Sequence, residues 1–502
     1  MMQLFYKREA LMTHLDTYLT KTKPEKRSSA AIAFLAGLDH LSERSPEIAQ
    51  AIIQELKDQR SYLKMIASEN YCSLAVQLAM GNLLTDKYAE GIASHRFYAG
   101  CDNIDTIESN ASNHLKALFN AEHAYVQPHS GADANMVAYW AILMKRVQSK
   151  EVERLGKKTV DELTPTEYEQ VRQLLVNQKI MGLSLNSGGH LTHGYRHNIS
   201  SKMMQAIFYD VDPATQLLDY KAIAQKAKEE KPAILLAGYS AYPRKINFAT
   251  MKEIADSVGA TFMVDMAHFA GLVAGKVFTG DYNPVAFADV VTSTTHKTLR
   301  GPRGGFVLST SEYKDFIDKG CPLVLGGPLP HVMAAKAIAF QEARKEDFVT
   351  YAHNITKNAV ALAEGLKKRG CTLVTGGTEN HLVIIDVSSF NLTGRHAESA
   401  LRTCHVTCNR NAIPFDKNGP WYTSGARLGT AALTTLGMGV QEMDEIAAII
   451  HECLTNTKPL PAQQGGLSKA HCEVAPQVQD ALKARVEALL QRFPLYPEIV
   501  LS

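Results

Sequence analysis

Apolar and polar positions along the chain follow two different periods, and the change from one to the other divides it. In residues 1–60, Leu4, Leu11, Leu15 and Leu19 recur on one helical face, which predicts a helical N-terminal arm, interrupted by the basic, Ser-containing stretch Lys21–Ser29. From 61 to 345, short β-rich runs alternate with helical patterns: Ala124–Val126, Ala233–Ala237, Thr261–Val264, Val290–Thr292 and Gly305–Leu308. Each leads into Gly, Ser, His or Asp. That order predicts an α/β fold, a mostly parallel sheet flanked by helices, whose ligands gather beyond the carboxyl ends of the strands. Residues 145–180 form a charged interruption. In it Thr164-Pro165-Thr166-Glu167 has the form of a capping box with proline at the first helical position, and Tyr168, Val171, Leu174 and Leu175 follow at helical spacing. A surface helical insertion is expected there. Beyond 345, the amphipathic stretches Asp347–Arg369, Glu442–Leu454 and Val478–Phe493 surround strands such as Leu382–Val387, predicting a smaller α+β domain over 346–502.

Composition narrows the partners. The longest apolar stretches, such as Ala30–Leu38 and Pro232–Gly238, fall short of the roughly 18 residues that a membrane span needs, so no membrane association is expected. The N-terminus carries charge within its first residues and no small-residue cleavage site, unlike a secretory signal; Glu9 and Asp16 argue against a transit peptide. With 53 Lys+Arg against 51 Asp+Glu, no bulk field exists for gripping a polyanion, and nucleic acid is not an expected partner. Eight cysteines dispersed over 502 residues fit reduced thiols and a cytoplasmic location. Cys404 and Cys408 are the close pair in sequence, without the spacing of a zinc knuckle.

Three motifs carry chemistry. In Val290-Val-Thr-Ser-Thr-Thr-His296-Lys297-Thr-Leu-Arg-Gly-Pro-Arg303-Gly-Gly an apolar strand runs into hydroxyls, a His-Lys pair and a glycine-rich turn. A lysine there, partly buried among cations, has a depressed pKa and a free amine able to form a Schiff base. Phe262-Met-Val-Asp265-Met-Ala-His268 puts an acid at another strand end, where a buried carboxylate needs a cationic partner such as a pyridinium nitrogen; the plainer role is a cap for the next helix. Tyr125-Val-Gln-Pro-His129-Ser130-Gly131-Ala132-Asp133 turns a strand into a helix start able to receive a phosphate. Downstream, Gly188-Gly-His190-Leu-Thr-His193-Gly places an imidazole on a glycine-flanked loop, fit to stack on an aromatic ring. Its His-x-x-His spacing lacks a third ligand in sequence, and no metal is expected.

Together these motifs closely resemble serine hydroxymethyltransferase. The resemblance runs from about Ile66 to Tyr496 and extends to Ile66-Ala-Ser68-Glu69-Asn70, Lys87-Tyr88-Ala-Glu90-Gly91, Arg96-Phe-Tyr98, Ser240-Ala-Tyr-Pro-Arg244, Gly326-Gly-Pro-Leu and Thr423-Ser-Gly-Ala-Arg427-Leu-Gly-Thr. It implies the fold type I architecture of pyridoxal phosphate enzymes (the aspartate-aminotransferase fold). The implied reaction is the reversible interconversion of serine and glycine, with the one-carbon unit passed to tetrahydrofolate. It implies Lys297 as the Schiff-base lysine, Asp265 on the pyridinium and His190 stacked on the ring. Ser130, Gly131 and His296 would face the phosphate, with Gly326 and Gly327 reaching across from a second subunit, and Ser240 and His268 would lie near the phenolic oxygen. Arg427 would clamp the amino-acid carboxylate, assisted by Ser68, with Arg303 also in the substrate site. Glu90 would be the acid–base group, its pKa raised by burial, completed by Tyr98 and by Tyr88, the latter from the neighbouring subunit. The pterin would lie near Leu185, Gly189, His190, Leu191, Asn409, Gly419, Pro420 and Trp421, with Glu69 and Phe97 nearby. A homodimer, or a tetramer, with shared sites follows.

The chain departs from the family pattern at Ala132 in place of a serine, Phe97 in place of a tyrosine, Trp421 in place of a phenylalanine, and in the less glycine-rich loop Pro322-Leu-Val-Leu-Gly-Gly. The arm and the 145–180 insertion exceed the compact bacterial pattern. A folate-independent aldolase of the same fold would share Lys297, Asp265 and Arg427, and Glu90 with Asn409–Trp421 argues against it. A catalytically silent relative would have lost one of these residues. Side aldolase, transamination or racemisation chemistry on small amino acids is expected as well.

Overall fold

The computed structural model describes residues 12–462 and 465–501. The chain divides into two compact units, Met1–Leu63 with Val486–Ser502, and Lys64–Arg485. In the first, α1 (His14–Lys21), α2 (Ser29–Arg44) and α3 (Pro46–Ser61) begin as their sequences dictate. Thr13 and Ser28 accept from the backbone N–H three residues on, and Pro46 opens α3 where its missing N–H is harmless. The basic stretch between α1 and α2 forms a short 3₁₀ turn, Pro24–Lys26. Among the described residues of α1, the leucines of the stripe are not the most buried. Leu4 and Leu11 lie outside the described residues, Leu15 and Leu19 are half-buried, and Thr17 and Tyr18 are the buried pair. The Tyr18 ring offers more apolar area than a leucine, and its hydroxyl accepts from Ser28 N–H at 2.8 Å. Arg60 donates to the carbonyls of Leu495, Tyr496 and Ile499 at 2.7–2.9 Å, so the last residues belong with the arm rather than with the residues following 345.

The second unit holds a seven-stranded sheet. Its strands are β1 (His123–Tyr125), β2 (Lys179–Leu183), β3 (Gln205–Tyr209), β4 (Ile234–Gly238), β5 (Thr261–Asp265), β6 (Val290–Thr294) and β7 (Gly305–Ser309), in the spatial order β1-β7-β6-β5-β4-β2-β3. Only β7 runs against its neighbours β1 and β6; the other pairings are parallel. The middle strands are buried along their whole length, as continuous apolar runs covered on both faces should be. Asp265 stands opposite both Gly238 and Thr292 in the ladder. Helices α4 (Asp102–Phe119) and α5 (Gly131–Leu143) belong to this unit.

Strands β2 and β3 were not among the expected runs. β2 starts at Lys179, at the tail of the segment read as helical, which is otherwise a π turn, a short helix and α6 (Pro165–Val176). The capping box is present, with Glu167 N–H donating to Thr164 Oγ1 and Thr164 N–H to Glu167 Oε2. Val171 and Leu175 are buried, whereas Tyr168 and Leu174 face solvent.

A second, wholly antiparallel sheet contains β8 (Thr372–Leu373), β9 (Leu382–Asp386), β10 (Asn409–Asn411) and β11 (Gly425–Gly429), in the order β8-β9-β11-β10. It lies between α7 (Pro330–Ala343) and α8 (Glu346–Lys368) on one side of the sequence and Val440–Thr455 on the other. No helix among the described residues is long and apolar enough to cross a membrane. All eight cysteines are free, and the buried thiol closest to Cys404 is Cys453, at 3.6 Å between sulfurs, not Cys408.

Candidate active site

Two adjacent parallel strands end in the two central groups: Asp265 closes β5, and Lys297 follows β6 by three residues. Because β7 returns antiparallel to β6, Lys297 lies in a hairpin loop shut at its base by Thr295 N–H to Gly304 O (3.1 Å) and Gly301 N–H to Thr295 O (2.7 Å). The lysine carbonyl accepts from Asn70 Nδ2 at 2.9 Å, and Asn70 also meets Tyr351 and Thr435. Thr298 Oγ1 donates to His268 O and accepts from Gly271 N–H. The Lys297 side chain is 9% exposed. Burial pulls its amine down to about 8; Asp265 works the other way, and Arg427 and Arg303 add to the depression.

Asp265 is buried. Its Oδ2 accepts from Asn135 Nδ2 at 2.9 Å and lies 3.1 Å from His193 Nε2, and its Oδ1 accepts from Ala267 N–H at 3.0 Å. Burial opposes ionisation, but the His193 hydrogen bond, the charges of His193 and His190, and Asn135 hold the carboxyl well below its usual range. The next helix, Ala270–Ala274, is preceded by Phe269, so Asp265 does not cap it. One donor atom from each of His190, His193 and Asp265 lies within 4.8 Å of the others, a grouping of metal-binding type. Each already has protein partners, His190 Nδ1 meeting Thr192 Oγ1 at 2.7 Å.

A cavity of about 390 Å³ brings together Ser68, Ser130, Gly131, Leu185, His190, Leu191, Ser240, Asp265, His268, His296, Lys297, Arg303 and Arg427, joined by Ala132, Tyr239, Ala267 and Thr294. Ser130 caps α5: its hydroxyl accepts from Asp133 N–H and donates to Asp133 Oδ2 at 3.0 Å. Gly131 is required by packing, since a Cβ there would lie 2.6 Å from Thr294 Cγ2. Arg427, on β11, donates through Nε to Asn409 Oδ1 (3.0 Å) and through a terminal nitrogen to Ser240 O; burial lowers it to about 10. Ser240 Oγ donates to Gly189 O. Burial, then the charges of Arg303 and Lys297, bring His296 down to about 3, and its buried Nδ1 has no partner among the described residues. An unpartnered imidazole nitrogen, a capped helix start, a buried carboxylate and a depressed lysine around one cavity fit the phosphate, ring nitrogen and aldehyde of pyridoxal phosphate.

Other expected residues lie outside this cavity. Tyr88 is 59% exposed and Tyr98 48%; Tyr98 donates to Glu90 Oε2 at 3.2 Å, and Glu90 is half-buried rather than buried. Gly326 and Gly327 do not line it either; Gly327 O lies 3.2 Å from His129 Nε2, and its backbone adjoins the Tyr88 ring. The residues expected around the pterin divide. Leu185 and Leu191 line the cavity, Gly189 adjoins it through Ser240, and Asn409 holds Arg427. Glu69 pairs with Lys64 at 2.9 Å. Gly419, Pro420 and Trp421 form a short surface helix in which the Trp421 ring is flanked by Arg395 and Arg410 at 5.2 and 5.4 Å. Phe97 is exposed.

Sequence reasoning did not assign a role to Asn70, Asn135, His193 or His381. Asn70 stood inside a motif already noticed. His381 carried no signal: it is buried in the second sheet's lead-in, with its Nε2 3.2 Å from His268 Nδ1 and the rings stacked at 5.4 Å.

The family model described as serine hydroxymethyltransferase matches residues 41–152 and 167–450, and its interruption falls within the helical insertion. A serine hydroxymethyltransferase of Treponema pallidum (strain Nichols) is 58% identical over 485 residues, 97% of this chain and 84% of that protein. Those of Salinispora tropica (56% over 475 residues, 95% and 99%) and Chlamydia trachomatis serovar D (54% over 490 residues, 97% and 99%) are similarly close. With the cavity's lysine, carboxylate and arginine in place, the chain belongs to the serine hydroxymethyltransferase family.

Proposed function

We propose that this chain interconverts serine and glycine with tetrahydrofolate as the one-carbon acceptor and pyridoxal phosphate as its cofactor. The observation that carries the reading is the placement of Lys297, Asp265 and Arg427 around one cavity. The bound cofactor would supply an aldehyde for an amine and a protonated ring that takes up the electrons released at Cα. Asp265 would hold that ring nitrogen and favour its protonated form, because a buried carboxylate held ionised favours a cation at contact distance. Lys297, whose amine burial lowers to about 8, would hold the cofactor through its aldehyde. Arg427 receives the substrate carboxylate on its fork, already oriented by Asn409 and the Ser240 carbonyl, with Ser68 and Arg303 beside it. His190 would form a wall beside the ring, and Ser130, Gly131 and His296 would take the phosphate.

Glu90, with Tyr98 on its carboxylate, moves the proton between the hydroxymethyl group and folate. In one protomer Glu90, Tyr88 and Tyr98 do not line the cavity, and Tyr88, Phe97 and Tyr98 are exposed aromatics; both facts support a homodimer in which a second copy completes the site. Leu185, Gly189, Leu191, Asn409, Glu69 and the Gly419–Trp421 helix are the folate contacts in this reading. The seven-stranded and four-stranded sheets support a cofactor domain over 61–345 and a small domain from 346 to about 485, with the last residues grouped with the arm. Eight free thiols support a reducing, cytoplasmic setting.

An absorbance spectrum tests the assignment. The purified protein is expected to show a near-visible cofactor band that Lys297→Ala abolishes, and a further, longer-wavelength band only when glycine and tetrahydrofolate are both present. A glycine response indifferent to folate would move the reading to an aldolase. Slow side conversion of L-alanine to D-alanine or pyruvate is also expected; finding neither removes that part.

A further inference from the structure

The Glu90 segment is held by a buried polar strut that no step above uses. Arg96, whose side chain is 4% exposed, donates to Asp105 Oδ1 at 2.8 Å and to Glu108 Oε2 at 2.6 Å. Its remaining nitrogen donates to the carbonyls on both sides of Glu90, Ala89 O at 2.9 Å and Gly91 O at 3.1 Å. Gln127, 1% exposed, donates through Nε2 to the same Gly91 O at 2.7 Å and to Glu108 Oε1 at 2.9 Å, and accepts from Tyr125 OH. Gln127 is in turn fixed from behind. The buried Lys336 Nζ donates to the carbonyls on both sides of it, Val126 O at 2.6 Å and Pro128 O at 2.9 Å, and to Gly305 O. Gly91 itself sits at φ +92°, where a Cβ would strike His95 O, and Phe97 N–H donates to Glu90 O at 3.1 Å. Carbonyls flanking Glu90 thus face a guanidinium and an amide, both buried and both locked by Glu108.

The geometry points to Gln127, Glu108 and Arg96 as positioning residues for Glu90, joining the segment that carries it to the strand end leading into Ser130 and Gly131. They touch neither substrate nor cofactor. Their effect runs through the placement of one carboxylate, so it belongs to the folate-dependent transfer and not to amino-acid binding. This rests on the proposed function, in which Glu90 is the acid–base group. A buried network of this kind suits that role because each member is satisfied. Removing one leaves charged or carbonyl partners unpaired, so alternative backbone positions are penalised.

The test uses the full chain with its cofactor bound, as Gln127→Met, which keeps the shape and removes the amide, and as Arg96→Lys, which keeps the charge and removes the fork. The expected result in both is a fall of about 10- to 100-fold in kcat for folate-dependent serine cleavage, the size of effect a misplaced acid–base group produces. The glycine Kd, read from the absorbance change without folate, and the cofactor band should stay within about twofold. Hydrogen exchange should quicken at residues 90–97, including the Phe97 amide, ahead of the rest of the chain. Either of two results overturns the proposal: a kcat kept within about twofold in whichever variant folds, or a kcat loss matched by loss of the cofactor band and glycine binding. A parent protein whose serine cleavage ignores folate overturns the functional reading itself. The exchange measurement then still reports on the strut.

Discussion

His268 and His381, 113 residues apart in sequence, face each other nitrogen to nitrogen at 3.2 Å inside the protein, with their rings inclined by 22°. Burial first, then nearby cations including Arg427 and Lys297, takes His381 down to about 3 and depresses His268 as well, so both are neutral at pH 7. The Nδ1 of His381 is buried without a partner among the described residues. An orphaned lone pair is less costly than an orphaned N–H, which places the His381 proton on Nε2, donating to His268 Nδ1. His268 then carries its proton on Nε2. His381→Phe is expected to preserve the stacking but free the tautomer of His268. The cofactor's absorption maximum and its pH dependence should shift while thermal stability changes little. An unchanged spectrum in a folded variant would refute the tautomer assignment.

The depressed amine of Lys297 predicts a pH dependence of cofactor capture. At about 8, roughly a tenth of the lysine is neutral at pH 7, against about one part in 3,000 for an unperturbed group. In protein stripped of cofactor, the rate of capture should therefore climb with pH and level off above about 8. Asp265 raises this pKa whereas Arg427 lowers it. Asp265→Asn should move the inflection to lower pH and Arg427→Met to higher pH. Stopped-flow absorbance over a pH series reads both.

Buried neutral histidines make the fold acid-sensitive. His190 is lowered to about 4, and His296 and His381 to about 3, in each case by burial first. Their folded values lie below the unfolded value near 6.5, so between those limits the unfolded chain binds more protons. Stability is then complete above about pH 6.5 and is lost as the pH falls toward the folded values. For His381 alone the loss by pH 5 is about 2 kcal/mol. Urea titrations at pH 7 and pH 5 should show at least that difference, and His381→Phe should reduce it by about 2 kcal/mol without abolishing it. A parent protein equally stable at both pH values would contradict the assignment.

Asn70 is the support beneath the lysine. Asn70→Asp keeps an acceptor for Thr435 Oγ1 but loses the Nδ2 donor to Lys297 O and Tyr351 OH. It also sets a carboxylate against a carbonyl. A destabilisation of about 1–3 kcal/mol is expected, together with faster loss of cofactor on dialysis. Equal cofactor retention would show that the lysine loop is held by its hairpin closure alone.

The strand ends were legible because β5, β6 and β7 are covered on both faces. Their apolar runs stop abruptly where chemistry begins, at Asp265 and before His296. β2 and β3 were not. β2 opens with a charged residue straight after a helical segment, and β3, at the sheet's edge, is only partly buried, so neither interrupts the pattern sharply. Ser130, His190, Asp265, Lys297 and Arg427, each picked out by its motif, line one cavity, whereas Glu90, Tyr88 and Tyr98 do not. What remained hidden was their support, because Asn70 with Lys297, His268 with His381, and Gln127 with Glu108 are contacts between residues remote in sequence. No periodicity records such pairs. The arm misled for a local reason: helical spacing identifies a face but not whether leucines or Tyr18 will be its most buried members.

The antiparallel return of β7 ties the lysine to a ruler. Thr292 and Asp265 are partners across β5 and β6, and Thr294 is opposite Gly305 across β6 and β7. Successive residues of a strand point to opposite faces, so a slip of one position would turn the Asp265 carboxylate out of the cavity and move the Lys297 hairpin by a full residue. Insertions and deletions should accordingly be absorbed in the helical insertion, between Val152 and Glu167, where the family model is interrupted. Between Val290 and Ser309 the chain has no slack: there the chemistry dictates the number of residues as strictly as it dictates their identity.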